Sequence, residues 1–298
     1  MASLNSSNHF DPKPELSPPN IFPEPLIIMP ALDHRQSIII LHGRGSIAAR
    51  FAPPLLATKA TGSDETLQTA FPHAKLIFPT ASRTRATIYK RSYTHQWFDN
   101  WHLDRYAERQ DLMTKGLRSS VQYIHGLLEQ EFAVVGAKNV VLWGLSQGCA
   151  TSLATLLTWD GEPLAAAVGM CGWLPFSNIM VDMLEDYQSM TDHSLAYVDE
   201  DDPFALSEDE GHVSSPAQDY STPGFASTLS AVNFLMEELN LIGTTKTTFR
   251  KVPIFLGHGM EDDRVNIELG REAQKCLRLL EADVQMTEYN IIICFYLI

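Results

Sequence analysis

A serine between two glycines is the strongest chemical signal in this sequence. The segment Gly144–Gly148, which reads GLSQG, directly follows the apolar run Val140–Trp143 and precedes a helix-prone stretch. This is the context of a nucleophile elbow, a turn so tight that side chains at the two glycines would collide with neighbouring backbone. Such a turn exposes the serine hydroxyl and directs the N–H groups of the next helix at an oxyanion. The segment predicts Ser146 as the nucleophile of an acyl transfer, and the alternative is a chance glycine-rich turn.

A second glycine pair, Gly43 and Gly45, follows the apolar run Ser37–Leu41. In folds with a nucleophile elbow, a loop after an early strand donates one backbone N–H to the oxyanion, and the residue after the nucleophile donates another. These positions are Arg44 and Gln147, and on this hypothesis their side chains matter little for the chemistry. The alternative is that the glycines only shape a turn.

Two adjacent acids, Asp262 and Asp263, follow the apolar run Val252–Leu256. A carboxylate that comes after the serine in chain order would orient the imidazole of a later histidine and stabilise its charged form. Both acids fit this role by position, and the alternative is a pair of solvated loop acids. No histidine follows Asp262 in the sequence.

Apolar runs alternate with stretches of helical spacing along the chain. The expected strands are Ser37–Leu41, Ala74–Phe78, Asn139–Trp143, Ala165–Met170, Val252–Leu256 and Val284–Tyr289. The expected helices are Leu112–Phe132, Gln147–Thr158, Ser227–Leu239 and Glu268–Leu280. This order predicts an α/β fold with a mainly parallel sheet covered by helices on both faces. Loops that follow parallel strands meet at the carboxyl edge of the sheet, so the site is expected there.

The chain is expected to form one domain, residues 37–298. Residues 1–36, rich in Pro, Ser and Asn, are expected to be a flexible tail, and the acidic stretch at about 185–225 is expected to be an excursion from the fold. The end, residues 290–298, is an atypical apolar segment. Its uncharged β-branched residues have the profile of an aggregation-prone strand.

Charge and composition limit the partners. Thirty-six acidic residues against 22 basic ones give a net charge of -14, which disfavours nucleic acid and anionic membrane surfaces. The four cysteines lack the paired spacing of zinc sites or disulfide frameworks, so no metal or cofactor is expected. Neither a signal peptide nor an integral membrane segment is evident, and a cytoplasmic location is expected.

Several segments together resemble the phospholipase/carboxylesterase family, which includes the acyl-protein thioesterases and many small fungal esterases. The matching segments, in order, are Leu41–Gly45, Gln96–Asp99, Gly144–Gly148, Gly172–Pro175, and His258-Gly259 with Asp262 and Val265. The resemblance implies an α/β-hydrolase fold and hydrolysis of carboxylic esters or thioesters without a cofactor. The implied substrates are acyl chains on a small alcohol, a lysophospholipid or a protein cysteine, so S-acylated proteins are candidate partners.

The resemblance also assigns residues. The family's acid lies three residues before a valine, which selects Asp262, and its oxyanion position falls on Arg44, where many members carry an apolar residue. Gln96, Trp97 and Trp173 are implied to contact the substrate, with bracing of the loop as the alternative for the segment that holds Gln96 and Trp97.

The family's last catalytic residue is a histidine in a loop after the final strand, and the sequence after Tyr289 holds none. His42 and His258 match structural positions of the family at the starts of loops. We therefore expect either a faulty chain end or a true loss of the base that leaves a non-catalytic binding protein. On both hypotheses the 298-residue polypeptide hydrolyses esters very slowly.

Overall fold

The computed structural model describes residues 21–102, 104–195, 223–243 and 246–290, with 190–195 and 223–225 described by their backbone alone. Its strands are β1 (Leu26–Ile28), β2 (Gln36–Leu41), β3 (Ala74–Phe78), β4 (Arg83–Ala86), β5 (Ser92–His95), β6 (Val140–Leu145), β7 (Ala166–Met170), β8 (Ile254–Gly259) and β9 (Val284–Tyr289). Its helices are α1 (Ala48–Ala57), α2 (Leu67–Ala70), α3 (Asp111–Val135), α4 (Gln147–Leu157), α5 (Ser177–Leu195), α6 (Pro223–Glu238) and α7 (Ile267–Leu279).

Seven of these strands form one sheet in the order β1-β3-β2-β6-β7-β8-β9. From β3 to β9 every neighbouring pair is parallel, and only β1 runs antiparallel to its neighbour. Strands β4 and β5 form a separate antiparallel hairpin. The predicted α/β fold with a mainly parallel sheet is confirmed.

Side chains on β2 alternate between the two faces of the sheet, as the period of a strand requires. Ile39 and Leu41 belong to the larger core cluster, which contains residues of α3 and α4. Ile38 and Ile40 belong to a second cluster that contains residues of α1. Both faces of the strand are therefore buried, which explains the continuous apolar run in the sequence.

Residues 21–36, the carboxyl side of the expected tail, pack against the domain. Strand β1 pairs with β3 along the edge of the sheet, and the ring of Phe22 stacks on Tyr123 with centroids 4.2 Å apart. Residues 21–36 are thus part of the domain, and residues 1–20 lie outside the described part of the chain.

The acidic excursion expected at about 185–225 begins and ends inside helices. Helix α5 continues to Leu195 and α6 begins at Pro223, so both ends of the stretch 185–225 are helical. Residues 196–222, which hold the rest of that prediction, lie outside the described residues, as do residues 291–298 of the apolar end.

Candidate active site

Ser146 occupies a sharp turn between β6 and α4. It has a φ of 53° and a ψ of -119°, which places it in the region of positive φ. A Cβ added to Gly144 would lie 2.2 Å from the carbonyl oxygen of Gly148, and one added to Gly148 would lie 2.5 Å from that of Leu41. Both separations are far below contact distance, so the turn has this shape only with glycine at both positions.

The loop after β2 lies against Ser146. A Cβ added to Gly43 would be 3.4 Å from the Ser146 Cβ and 3.9 Å from its Oγ. The N–H of Gly45 donates to the carbonyl oxygen of His95 at 2.8 Å, which anchors the loop to β5. Within the described ranges, neither the Arg44 nor the Gln147 N–H donates to a backbone carbonyl, so both are available to an oxyanion beside the serine.

The side chain of Gln147 fastens α4 to the segment after β5. Its Oε1 accepts from the Trp97 N–H at 3.0 Å, and its Nε2 donates to the Phe98 carbonyl oxygen at 2.7 Å. All of these groups are buried. The Gln147 side chain was expected to matter little for the chemistry. It has a structural role instead, because it positions the helix turn whose N–H faces the site.

Trp97 braces the loop that carries Arg44. Its indole Nε1 donates to the His42 carbonyl oxygen at 2.8 Å, and the two rings lie 5.1 Å apart. The side chain is buried behind the loop. These contacts favour the bracing alternative for Trp97, and its contact with substrate stays a prediction.

Gln96 and Trp173 are buried and each retains one unpaired polar atom. The Gln96 Nε2 donates to Thr84 Oγ1 and to the Arg85 carbonyl oxygen, both at 3.0 Å, while its Oε1 has no partner among the described residues. Trp173 packs edge-on against Phe98 at 5.9 Å, and its Nε1 is unpaired in the same part of the chain. Their assignment to substrate binding stays a prediction.

His42 is held by hydrogen bonds on both ring nitrogens. Its Nε2 accepts from the Ala81 N–H at 3.1 Å, so the proton is on Nδ1, which donates to the Gly43 carbonyl oxygen at 2.7 Å. Burial lowers the pKa of His42 to about 4. The imidazole is therefore neutral near pH 7 and has no nitrogen free to take a proton from Ser146.

Asp262 is buried, whereas the neighbouring Asp263 is exposed. One carboxylate oxygen of Asp262, Oδ1, accepts from the N–H groups of Arg264 at 2.9 Å and of Val265 at 3.0 Å. Two such bonds fix the orientation of the carboxylate. Geometry thus separates two acids that position in the sequence left equivalent.

His258 has a structural environment. Its Nε2 donates to the Val265 carbonyl oxygen at 2.8 Å and lies 3.8 Å from Asp262 Oδ2. A Cβ added to Gly270 would be 2.5 Å from Nδ1, so α7 packs directly on the ring. Burial lowers the pKa of His258, although Asp262 and the bond to Val265 oppose that shift. The ring supports the loop that holds Asp262.

Topology brings these residues to one edge of the sheet. Strands β2, β6 and β8 are parallel to one another through β7, and Arg44, Ser146 and Asp262 each follow the carboxyl end of one of them. Arg44 and Gln147 flank the serine directly, and Asp262 lies two strands along. An arrangement of this kind can support nucleophilic attack on a carbonyl with a stabilised oxyanion.

The described residues offer neither a metal site nor a membrane-spanning helix. No group of three or more His, Cys, Asp or Glu side chains there could hold a metal ion. No helix in the same part of the chain has both the length and the apolar character needed to cross a bilayer.

Comparison with known proteins supports the architecture. The model of the phospholipase/carboxylesterase family matches residues 23–209. Acyl-protein thioesterase 1 of Cryptococcus neoformans is 26% identical over 163 residues, which are 54% of this chain and 64% of that protein. The Yarrowia lipolytica protein of the same name is 29% identical over 177 residues, 59% of this chain and 74% of its own length.

Solved structures show the same fold. Acyl-protein thioesterase 2 of Zea mays superposes with a TM-score of 0.57 at 18% identity and covers 90% of both chains. Arabidopsis thaliana SOBER1 superposes with a TM-score of 0.55 at 20% identity and covers 86% of this chain and 88% of its own. The parallel sheet and its helices thus form an α/β-hydrolase fold. Because the family model matches more than half of the sequence, this chain belongs to the phospholipase/carboxylesterase family.

Proposed function

We propose that the site of this chain is built for the hydrolysis of carboxylic esters or thioesters, with Ser146 as nucleophile. The observation that carries the proposal is the position of Ser146 in a glycine-flanked turn with two unused backbone N–H groups beside it. The relatives named acyl-protein thioesterase 1 support an acyl thioester or ester as substrate, and S-acylated proteins as partners. A cytoplasmic location stays a prediction.

In the proposed reaction, Ser146 Oγ attacks the acyl carbon and the carbonyl oxygen becomes an oxyanion. The N–H groups of Arg44 and Gln147 donate to that oxyanion, and the alcohol or thiol leaves to give an acyl-serine that water hydrolyses. Asp262, fixed by two backbone N–H groups, would orient a histidine that takes the serine proton and returns it to the leaving group.

Neither His42 nor His258 supplies the proton acceptor. Both nitrogens of His42 are bonded, and the Nε2 of His258 is committed to a carbonyl oxygen. We propose that the base enters from a loop after β9, where the family carries its histidine, and that the 298-residue polypeptide is impaired without it. The rival function is that of a non-catalytic protein that binds an acyl ligand. Because His42 and His258 are held in hydrogen bonds, this rival is favoured over a mechanism in which either of them acts as the base.

Three versions of the chain test the proposal with p-nitrophenyl butyrate. The unaltered chain should show only residual turnover, because a serine hydrolase such as subtilisin loses on the order of a millionfold in turnover number without its histidine. A chain with a Gly-x-x-His loop and closing helix grafted after Tyr289 should gain several orders of magnitude, and Ser146→Ala in that chain should abolish the gain.

The outcomes separate the two functions. If Ser146→Ala leaves the turnover of the grafted chain unchanged, Ser146 is not the nucleophile. A folded graft that binds the ester but does not turn it over would support the non-catalytic rival. Strong Ser146-dependent turnover by the unaltered chain would contradict the proposed impairment and direct attention to His258.

A further inference from the structure

Arg44 belongs to the loop that lies against Ser146 and carries a positive charge there. The residue directly follows Gly43, whose Cβ position is 3.4 Å from the Ser146 Cβ. Its side chain is partly buried, and its Nε is fully buried. Burial lowers the pKa of Arg44, and Tyr89 and Asp99 partly oppose that shift, but a guanidinium stays protonated at any pH at which the protein folds.

The guanidinium has neutral hydrogen-bond partners, Asn100 and Tyr89, and no ion pair with a carboxylate in the described part of the chain. Its Nη2 donates to Asn100 Oδ1, and no ion pair joins Arg44 to a described Asp or Glu. The nearby Asp99 is engaged elsewhere, since its two oxygens accept from the Thr87 N–H at 2.8 Å and the Thr87 Oγ1 at 2.5 Å. Asp99 and Tyr89 thus stabilise the charge of Arg44 from nearby, but no described carboxylate forms an ion pair with it.

The Nε of Arg44 is a buried N–H donor that has no hydrogen-bond acceptor among the described residues. Trp101 and Trp173, in adjoining segments, also keep buried indole N–H groups without a partner there. Gln96 Oε1 and Ser46 Oγ are also buried and have no hydrogen-bond partner among the described residues. A buried donor without an acceptor is costly. A ligand that brings an anionic oxygen would give the Arg44 Nε an acceptor and add a counter-charge to the guanidinium.

We propose that Arg44 binds an anionic oxygen of the substrate, a carboxylate or a phosphate, so that the site prefers acyl esters with a negative charge near the scissile carbonyl. The inference rests on the proposed hydrolase function and adds to it a substrate class. A planar fork of N–H donors suits a carboxylate or phosphate. An apolar residue at this position would lack this donor set and would favour an uncharged acyl chain.

Calorimetric titration of the full chain carrying Ser146→Ala tests the inference without turnover. The probes are monomethyl glutarate, which carries the anion on the acyl side, glycerol 3-phosphate, which represents the headgroup side, and the neutral dimethyl glutarate. At least one anion should bind, and adding Arg44→Met should weaken that binding about tenfold or more. Dimethyl glutarate should be held equally or more tightly after the same change.

The matched control is Arg83→Met on β4, which removes the same charge from an exposed side chain of the neighbouring hairpin. It should change anion affinity less than twofold. The probe that Arg44→Met affects identifies the source of the anion. If Arg44→Met unfolds the chain, Arg44→Lys keeps the charge but loses the fork, and it should weaken the same anion at least about threefold.

The inference is overturned if neither anion binds, or if anion affinity is unchanged by Arg44→Met in a chain with an unaltered circular dichroism spectrum. It is also overturned if Arg44→Lys binds the anion as tightly as arginine does. Because these measurements use a chain without the serine hydroxyl, their failure leaves the test of ester hydrolysis untouched, and failure of hydrolysis leaves them interpretable.

Discussion

Single side chains around the site are fixed more by neutral hydrogen bonds than by charge. His42 is the clearest case. It donates a hydrogen bond to one backbone group and accepts one from another, and its ring packs on Trp97. His42 can make both hydrogen bonds only in its neutral form, because the protonated ring has no acceptor nitrogen. Its contribution to stability must therefore depend on pH.

Acidification should destabilise the protein through His42. The native pKa is about 4 and the unfolded value is about 6.5, so between these values the unfolded chain binds the extra proton. Stability from this residue is complete above pH 6.5 and is lost as the pH falls through that window. The total loss is on the order of 3 kcal/mol.

Denaturant unfolding of wild type and His42→Gln at pH 7, 6 and 5 measures this effect. His42→Gln cannot titrate, so its deficit against wild type should shrink as the pH falls. The comparison also cancels the same-sign contributions of His125 and His258, whose pKa values burial lowers. Parallel curves for the two proteins would contradict the prediction.

At the scale of elements, the sequence predicted the strands and helices whose apolar residues are buried in the core. The central strands could be located to within about three residues, because a parallel strand buried on both faces reads as an uninterrupted apolar run bounded by glycine. Helix α1 was missed because Pro53 and Pro54 lie inside it. The hairpin β4–β5 was missed because its side chains are largely exposed and polar.

The candidate site divides in the same way. The serine turn and both glycine pairs could be read from the sequence because the geometry needs particular residues in a row. The choice of Asp262 rested on resemblance alone, since the burial that distinguishes it from Asp263 depends on the fold. The bonds from Gln147 to the segment after β5 link residues about 50 positions apart, and no local pattern predicts them.

The close approach of α4 to β2 gives a prediction about the elements. Gly148→Ala would place a methyl group 2.5 Å from the Leu41 carbonyl oxygen, and backbone on both sides cannot yield without moving the loop at Arg44. We expect a loss of about 1–3 kcal/mol in the free energy of unfolding. In the grafted chain described above, ester turnover should fall as well.

Gly126→Ala is the matched control, since Gly126 lies in the middle of α3 and a Cβ there would meet nothing within 4 Å. It should stabilise the protein by about 0.5–1 kcal/mol. Chemical denaturation of both variants checks the contrast, and equal effects of the two substitutions would refute the steric account.

At the scale of the whole molecule, the two edges of the sheet differ in the kinds of residues they hold. The carboxyl edge holds the candidate site, and the amino edge holds a partly buried ion pair between Lys75 Nζ and Glu131 Oε1 at 2.5 Å. Ser37 Oγ donates to the other Glu131 oxygen at 2.7 Å. These residues join β2, β3 and α3, so they couple the sheet to its longest helix.

Lys75→Met should destabilise the fold by about 3 kcal/mol, because it leaves a buried carboxylate without its cation. The double variant Lys75→Met with Glu131→Leu should recover most of that loss, since neither charge then remains. The exposed pair Lys59–Asp64 is the control, and Lys59→Met should cost less than about 0.5 kcal/mol. Midpoints of urea unfolding give all three values, and a Lys75→Met protein as stable as wild type would contradict the account.

The backbone of Ser146 has an evolutionary consequence. A φ of 53° with a ψ of -119° costs a residue with a side chain about 1–3 kcal/mol, whereas glycine adopts such angles freely and loses about 0.5–1 kcal/mol through its looser unfolded chain. Selection for folding alone would therefore drive this position towards glycine. On the proposed function, selection for the hydroxyl opposes that drift, so a serine at this position is what the proposed acyl chemistry requires.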